Sequence, residues 1–187
     1  MLEIRFHGRG GQGTVVASEI LALAAFKEGR YPASFPSFGS ERRGAPVVAY
    51  VRLDDKPIEQ RTEVYTPHGL VVLDQNLILL KLAPVTEGLR EKGWLLINSA
   101  KSPAEWSKIL PGYKIATVDA SAIAVKNGLG SKTSPIVNTA ILGALAKVPG
   151  VAGIEAILDA VHETVPIKPE ANVEAARESY DSMRPWV

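Results

Sequence analysis

The sequence predicts an α/β fold: a doubly wound, mostly parallel sheet flanked by helices and followed by a helical C-terminal tail. Three observations predict it. An apolar run, Leu2 to Phe6, passes through a glycine-rich turn into a strongly apolar helical pattern that begins at Thr14. Three later β-rich runs are each followed by a helical segment and each end on a polar residue, the signature of βα units in a parallel sheet. Two further helical patterns close the chain, joined by Pro166-Ile167-Lys168-Pro169.

Taken in order, Leu2 to Phe6 reads as the first strand and Thr14 to Lys27 as a largely buried helix, with apolar residues spread from Val15 to Ala25 and Gly29 as its stop. Tyr31 to Phe35 is a short second strand. A loop from Pro36 to Gly44 leads to a strong strand, Pro46 to Leu53, and Asp54-Asp55-Lys56 is a turn into a short strand near Ile58. Leu70 to Leu73 ends at Asp74 and precedes helical periodicity from Leu77 to Leu89. Trp94 to Ile97 ends at Asn98 and Ser99, and Lys114 to Val118 ends at Asp119. Those polar residues stand where open α/β sheets bind ligands, but Asp, Asn and Ser are also helix N-caps, and capping is the preferred role for Asp74 and Asp119. Gly128 to Pro135 is a loop, and Val137 to Val148, Ile154 to Val165 and Glu170 to Met183 are helices. The chain divides into an α/β domain, 1–150, and a helical extension, 151–187, packed on that domain or on a partner.

Composition excludes several kinds of chemistry. With no cysteine, the chain supplies no thiolate nucleophile, no disulfide and no cysteine ligand to an iron–sulfur cluster. Its three histidines, His7, His68 and His162, lack metal-ligand spacing, so no metal site is expected. A net charge of +1 gives no global attraction to nucleic acid. No apolar run approaches the roughly 20 residues of a membrane span, and Leu2 to Phe6 is too short for a signal segment. The cytoplasm is the expected location. Charge is uneven, with seven Lys/Arg against four Asp/Glu from Met1 to Leu53 and three against seven from Val151 onward. The basic excess lies with the glycine turn.

That turn, Gly8-Arg9-Gly10-Gly11-Gln12-Gly13-Thr14, fits the spacing G-x-G-x-x-G. Glycines let the backbone turn sharply and present N–H groups at a helix N-terminus, which together suit a phosphate. A tight βα turn without a ligand is the alternative. An NAD site expects an acidic residue at the end of the second strand, where Phe35, Pro36 and Ser37 stand instead, so NAD is rejected. The second unusual segment is Phe35-Pro36-Ser37-Phe38-Gly39-Ser40-Glu41-Arg42-Arg43-Gly44-Ala45-Pro46, for which a solvated surface loop is the plain alternative. Adjacent arginines suit a phosphate, as in NADP or coenzyme A, or acidic groups on another subunit. In a doubly wound sheet the loops after strands one and two share an edge, so the two segments can be neighbours.

The two segments, with Pro135-Ile136-Val137-Asn138-Thr139 leading into Leu142-Gly143-Ala144, strongly resemble the gamma subunit of 2-oxoacid:ferredoxin oxidoreductases, from Ile4 to about Val148. The Glu-Arg-Arg-Gly-Ala-Pro ending is closer to the pyruvate or ketoisovalerate branch than to the 2-oxoglutarate branch. The resemblance implies a Rossmann-like subunit of an enzyme that oxidatively decarboxylates a 2-oxoacid to an acyl-coenzyme A. Thiamine diphosphate and iron–sulfur clusters would lie on other subunits, alpha, beta and delta chains would be partners, and electrons would leave to ferredoxin. This chain would have no catalytic residues of its own. Its coenzyme A-binding residues would be Gly8, Arg9, Gly10, Gly11, Gln12, Gly13, Thr14, Glu41, Arg42, Arg43, Gly44 and Asn138. A free-standing NADP or flavin oxidoreductase and a purely scaffolding subunit are the alternatives. An isolated chain is expected to self-associate through the region of Phe35, Phe38 and Pro46 and through its C-terminal tail.

Overall fold

The computed structural model describes residues 1–37 and 44–187. Its element order is β1 (Leu2–Arg9), α1 (Thr14–Lys27), β2 (Tyr31–Pro36), β3 (Pro46–Asp54), β4 (Gly69–Val72), α2 (Asn76–Leu79), β5 (Trp94–Asn98), α3 (Pro103–Ile109), β6 (Lys114–Val118), α4 (Ala120–Lys126), a small hairpin of β7 (Gly130–Ser131) and β8 (Ser134–Pro135), then α5 (Asn138–Leu145), α6 (Ile154–Thr164) and α7 (Pro169–Ser182). Among the described residues no helix is long and apolar enough to cross a membrane.

The main sheet runs β2-β3-β1-β4-β5-β6. Strands β1, β4, β5 and β6 are parallel, while β3 pairs antiparallel with both β1 and β2. The sheet is therefore mostly parallel, as the βα rhythm predicts. Strand β3 lies between β1 and β2, so β2 runs in the direction of β1 and the segment after it returns to the same sheet edge as the glycine turn.

Alternation along the strands feeds two cores. Ile4, Phe6, Val71, Leu96 and Val118 face α1 and the later helices, against Ile20, Leu21, Ile141, Leu145 and Ile157. Leu70, Val72, Leu95, Ile97 and Ile115 face the other way, against Leu77, Val85 and Trp106. Toward β1 and β3 this second face becomes polar yet stays buried. Arg52 donates to Glu3 (3.0 Å) and to the carbonyls of Thr62 (2.7 Å) and Glu63 (3.2 Å), and Arg90 donates to Glu3 (2.9 Å) and Thr66 (2.7 Å). Arg5 donates to the Val85 and Glu87 carbonyls. These guanidinium groups satisfy loop backbone that has no ladder of its own.

Two local expectations are corrected. No strand forms near Ile58: residues 57–61 are irregular, and the Thr62 and Glu63 carbonyls just beyond them bond to Arg52 rather than to a neighbouring strand. The helix expected over Leu77 to Leu89 ends at Leu79. Lys81 takes a left-handed φ of 52°, and bonds from Leu82 N to Leu77 O (3.0 Å) and from Lys81 N to Ile78 O (3.1 Å) close the turn in a Schellman arrangement. Pro84 and Gly88 keep the chain in turns beyond it. The apolar spacing arises because Val85 and Leu89 nevertheless reach the sheet.

The C-terminal helices join the larger core. Helix α7 crosses α5 so closely that a Cβ on Gly143 would lie 1.7 Å from the Ala176 carbonyl oxygen. Small buried residues, Ala175, Ala176 and Ser179, make that approach possible and explain the weak apolar periodicity of the tail. Beyond α7 the chain runs beside β6, with Arg184 N on Thr117 O (2.8 Å) and Ile115 and Val187 exchanging two bonds of 3.1 Å. Trp186 meets Trp94 edge-on at 5.9 Å. This segment covers one edge of the sheet. Pro32 and Pro36, each lacking an N–H, sit in the strand at the other edge, a common protection against stray pairing.

Candidate functional site

Strand β1 delivers the glycine turn to the carboxyl edge of the sheet. There Gly10 N donates to Ala45 O (2.9 Å) and Gly44 N donates to Gly10 O (3.1 Å). The turn and the end of the second segment are thus joined by backbone bonds. Glu41, Arg42 and Arg43, with Phe38, Gly39 and Ser40, lie outside the described residues.

The turn is closed by Gln12. Its N–H bonds Arg9 O (2.9 Å) and its side-chain oxygen accepts from Arg9 N (2.7 Å). Asp74, buried at the end of β4, accepts from Arg9 Nε (2.7 Å) and Gln12 Nε2 (3.0 Å) on one oxygen and from Asn76 N (2.9 Å) on the other. It therefore both caps the start of α2 and fixes the glycine turn from across the β1–β4 crevice. Capping was legible in the sequence. The clamp joins residues more than 60 positions apart and left no local signal. Asp119 caps α4 by accepting from Ala122 N (2.9 Å).

Three glycines have distinct roles. A Cβ on Gly8 would lie 2.0 Å from Thr14 Oγ1, so Gly8 lets α1 seat closely on β1. Gly11 has φ +94° with open space where its Cβ would be, so it is needed for conformation and faces the cleft. Gly13 has φ +72° and would place a Cβ 2.5 Å from Asn138 Nδ2. Asn138 is itself buried, and its Oδ1 has no partner among the described residues. The structure thus brings Gly8 to Thr14, Gly44 and Asn138 together.

Of the backbone donors in the turn, those of Gly10 and Gln12 are used internally. The N–H groups of Gly11 and Gly13 have no acceptor among the described residues, and those of Thr14, Val15 and Val16 open the first turn of α1, where no intrahelical acceptor exists. That first turn has no acidic residue, so nothing there offsets the positive end of a 14-residue helix. These groups border a cleft of about 370 Å³ that Val15, Val16 and Val47 line on its apolar side. The Thr14 hydroxyl is buried without a partner among the described residues, so Thr14 meets the cleft through its backbone. Arg9 stands between this cleft and a polar crevice of about 240 Å³ bounded by Asp74, Asn98, Ser121 and Lys132. With its Nε on Asp74, it serves the turn's geometry as well as its charge. The arrangement is a set of main-chain donors at a helix N-terminus, a geometry that suits an anion.

Sequence inspection missed His7. It points to the second face of β1, is 4% exposed, and has both ring nitrogens buried without partners among the described residues. Burial, helped by the charge of Arg5, pulls its pKa down to about 3. The imidazole is neutral at ordinary pH and outside the cleft.

A family model described as pyruvate ferredoxin/flavodoxin oxidoreductase matches residues 3–182. The pyruvate/ketoisovalerate oxidoreductases common subunit gamma of Thermococcus kodakarensis is 50% identical over 185 residues, covering 97% of this chain and 96% of that protein. A crystal structure of pyruvate oxidoreductase subunit PORC from Thermotoga maritima is similar with a TM-score of 0.82 and 36% identity, covering 98% of this chain and 97% of that one. The fold also recurs, at 18% identity and a TM-score of 0.72, in 2-oxoglutarate:ferredoxin oxidoreductase from Magnetococcus marinus, solved with 2-oxoglutarate, coenzyme A and succinyl-CoA bound. There the match covers 96% of this chain but only 30% of that longer one.

Proposed function

The chain belongs to the pyruvate ferredoxin/flavodoxin oxidoreductase family as a gamma subunit, and we propose that its glycine turn receives coenzyme A within that multisubunit enzyme. The reaction is the oxidative decarboxylation of pyruvate or a related 2-oxoacid to an acyl-coenzyme A. The observation that carries the coenzyme A reading is the array of N–H groups from Gly11 through the first turn of α1, which have no acceptor among the described residues and face an open cleft with no acidic residue among its described lining.

Coenzyme A supplies the thiol that takes the acyl group. Its diphosphate suits the N–H groups of Gly11, Gly13 and Thr14, and Val15, Val16 and Val47 offer apolar surface beside them. Arg9 and Gln12 hold the turn, Gly8 and Asn138 set the seat of α1, and Gly10 and Gly44 tie on the second segment. Arg42 and Arg43 are assigned to the 3′-phosphate, with acidic groups of a neighbouring subunit as the other candidate partner. Thiamine diphosphate and the iron–sulfur clusters are assigned to alpha, beta and delta chains, consistent with a chain that has no cysteine. Ferredoxin is the electron acceptor, and the cytoplasm the location. The relative's name, a subunit common to pyruvate and ketoisovalerate enzymes, supports choice of the 2-oxoacid on other chains.

The clamp gives a direct test. Asp74→Asn removes the charge from two bonds that fix the turn, and a charged hydrogen bond is worth about 1.5–3 kcal/mol. In the assembled enzyme the Michaelis constant for coenzyme A is expected to rise about tenfold or more. Single-turnover CO₂ release without coenzyme A should stay unchanged, because that step occurs elsewhere. An unaltered Michaelis constant in a complex of full stoichiometry would remove the turn from coenzyme A binding.

A further inference from the structure

Away from the glycine cleft, on the sheet face covered by α2 and α3, lies an apolar groove of about 550 Å³ lined by Ile78, Leu82, Pro84, Val85, Ile109 and Leu110. Its surroundings are unusually bare. Leu82 is 44% exposed and Ile109 42%, so large aliphatic side chains share one groove in water instead of being scattered singly. Among the described residues one charged side chain lines the groove, Lys81, and no carboxylate does. Lys81 is also the residue held at φ 52° where α2 ends. Glycine is usual at such a position, and a strained non-glycine residue points to a role for the side chain.

We infer that this groove docks an apolar segment of another subunit of the oxidoreductase, one that carries a carboxylate to meet Lys81. Charge selects that occupant over a second copy of this chain. In a symmetric pair the same patch meets itself, so each Lys81 would be buried against a groove without a carboxylate, and an unpaired buried cation opposes association. The inference rests on this chain being a subunit of such an enzyme. It does not depend on where coenzyme A binds. The region of Phe35 and the C-terminal tail is less suited to the role: Phe35 is half-buried against Tyr50 and Arg52, and the tail packs on its own chain.

The test is co-expression of the whole complex with altered gamma chains. Leu82→Glu with Ile109→Glu places charge on exposed positions of the groove and should leave the thermal melt of the gamma chain unchanged, while its recovery with the other subunits at submicromolar concentration falls at least tenfold. Lys81→Glu should cause a similar loss. Lys81→Gly relaxes the backbone and removes only the charge, and should give a smaller one. Full gamma stoichiometry in the double-glutamate complex would overturn the inference. So would a wild-type gamma dimer that the same changes dissociate while the complex assembles normally, because the occupant would then be a second copy. Normal assembly of these variants, beside a raised coenzyme A Michaelis constant in Asp74→Asn, would remove the docking groove and leave the coenzyme A reading standing. A wild-type chain that joins no complex at all would remove both.

Discussion

Replacing Gly13 with alanine is expected to lower the unfolding free energy by about 2–5 kcal/mol and to weaken coenzyme A binding with it. Two costs combine. Gly13 sits at φ +72°, and a residue with a Cβ is disfavoured there by roughly 1–2 kcal/mol. The new methyl would also lie 2.5 Å from Asn138 Nδ2 and 2.8 Å from its Cγ, an overpacking of the kind that costs about 1–3 kcal/mol. The two are separable. Asn138→Ala removes the collision but not the backbone strain, so a double-mutant cycle in urea should show a coupling of about 1–2 kcal/mol between the positions. Strictly additive effects, or a Gly13→Ala protein within about 0.5 kcal/mol of the parent, would mean that α1 does not start as described.

The second large effect is a loss of stability in mild acid, centred on His7. Its ring lies at the position where β1 pairs with Val48 of β3 and Val72 of β4, with no partner for either nitrogen among the described residues. Burial first, then the Arg5 charge, lowers its pKa to about 3 from an ordinary 6.5. The unfolded chain therefore binds a proton in a range where the folded chain refuses it. The contribution is fully present above about pH 6.5 and declines as the pH falls toward 3, by at most about 5 kcal/mol. His68 is shifted the same way by burial and then by Arg90, so a variant that keeps His68 isolates the term. His7→Leu should flatten the slope of unfolding free energy against pH by about one proton between pH 6.5 and 4. It should lose nothing at pH 7, because two unbonded buried nitrogens are removed. Parallel slopes in the two proteins would show that His7 is not buried neutral.

What the sequence made legible is what depends on near neighbours. A run of apolar residues, a glycine turn and a helix from Thr14 identify β1, the turn and α1 through local spacing alone, and the polar ends of β4, β5 and β6 mark the correct edge of the sheet. Both glycine-bearing segments could be placed at that edge, although the route is a reversed strand, β3, whose direction relative to β1 is set by pairing and not by composition. Helix α2 stops early because Lys81 adopts a conformation its residue type does not advertise. The clamp by Asp74 and the seat of Gly13 on Asn138 are meetings between distant parts of the chain. The closing segment at Arg184 to Val187 is another, decided by an open edge on β6 that only the assembled sheet presents. His7 was inconspicuous for a related reason: as one polar residue in an alternating strand it reads as solvent-facing, and its burial comes from the loops and strands that fold over the second face.

The most direct measurement of the central claim is amide hydrogen exchange in the assembled enzyme, with and without coenzyme A, followed over residues 10–16. If the turn receives coenzyme A, the exposed amides of Gly11, Gly13 and the first turn of α1 should exchange more slowly when coenzyme A is present, and Asp74→Asn should reduce that protection. Protection confined to other subunits, with residues 10–16 exchanging at the same rate in both states, would contradict the account and leave this chain a scaffold.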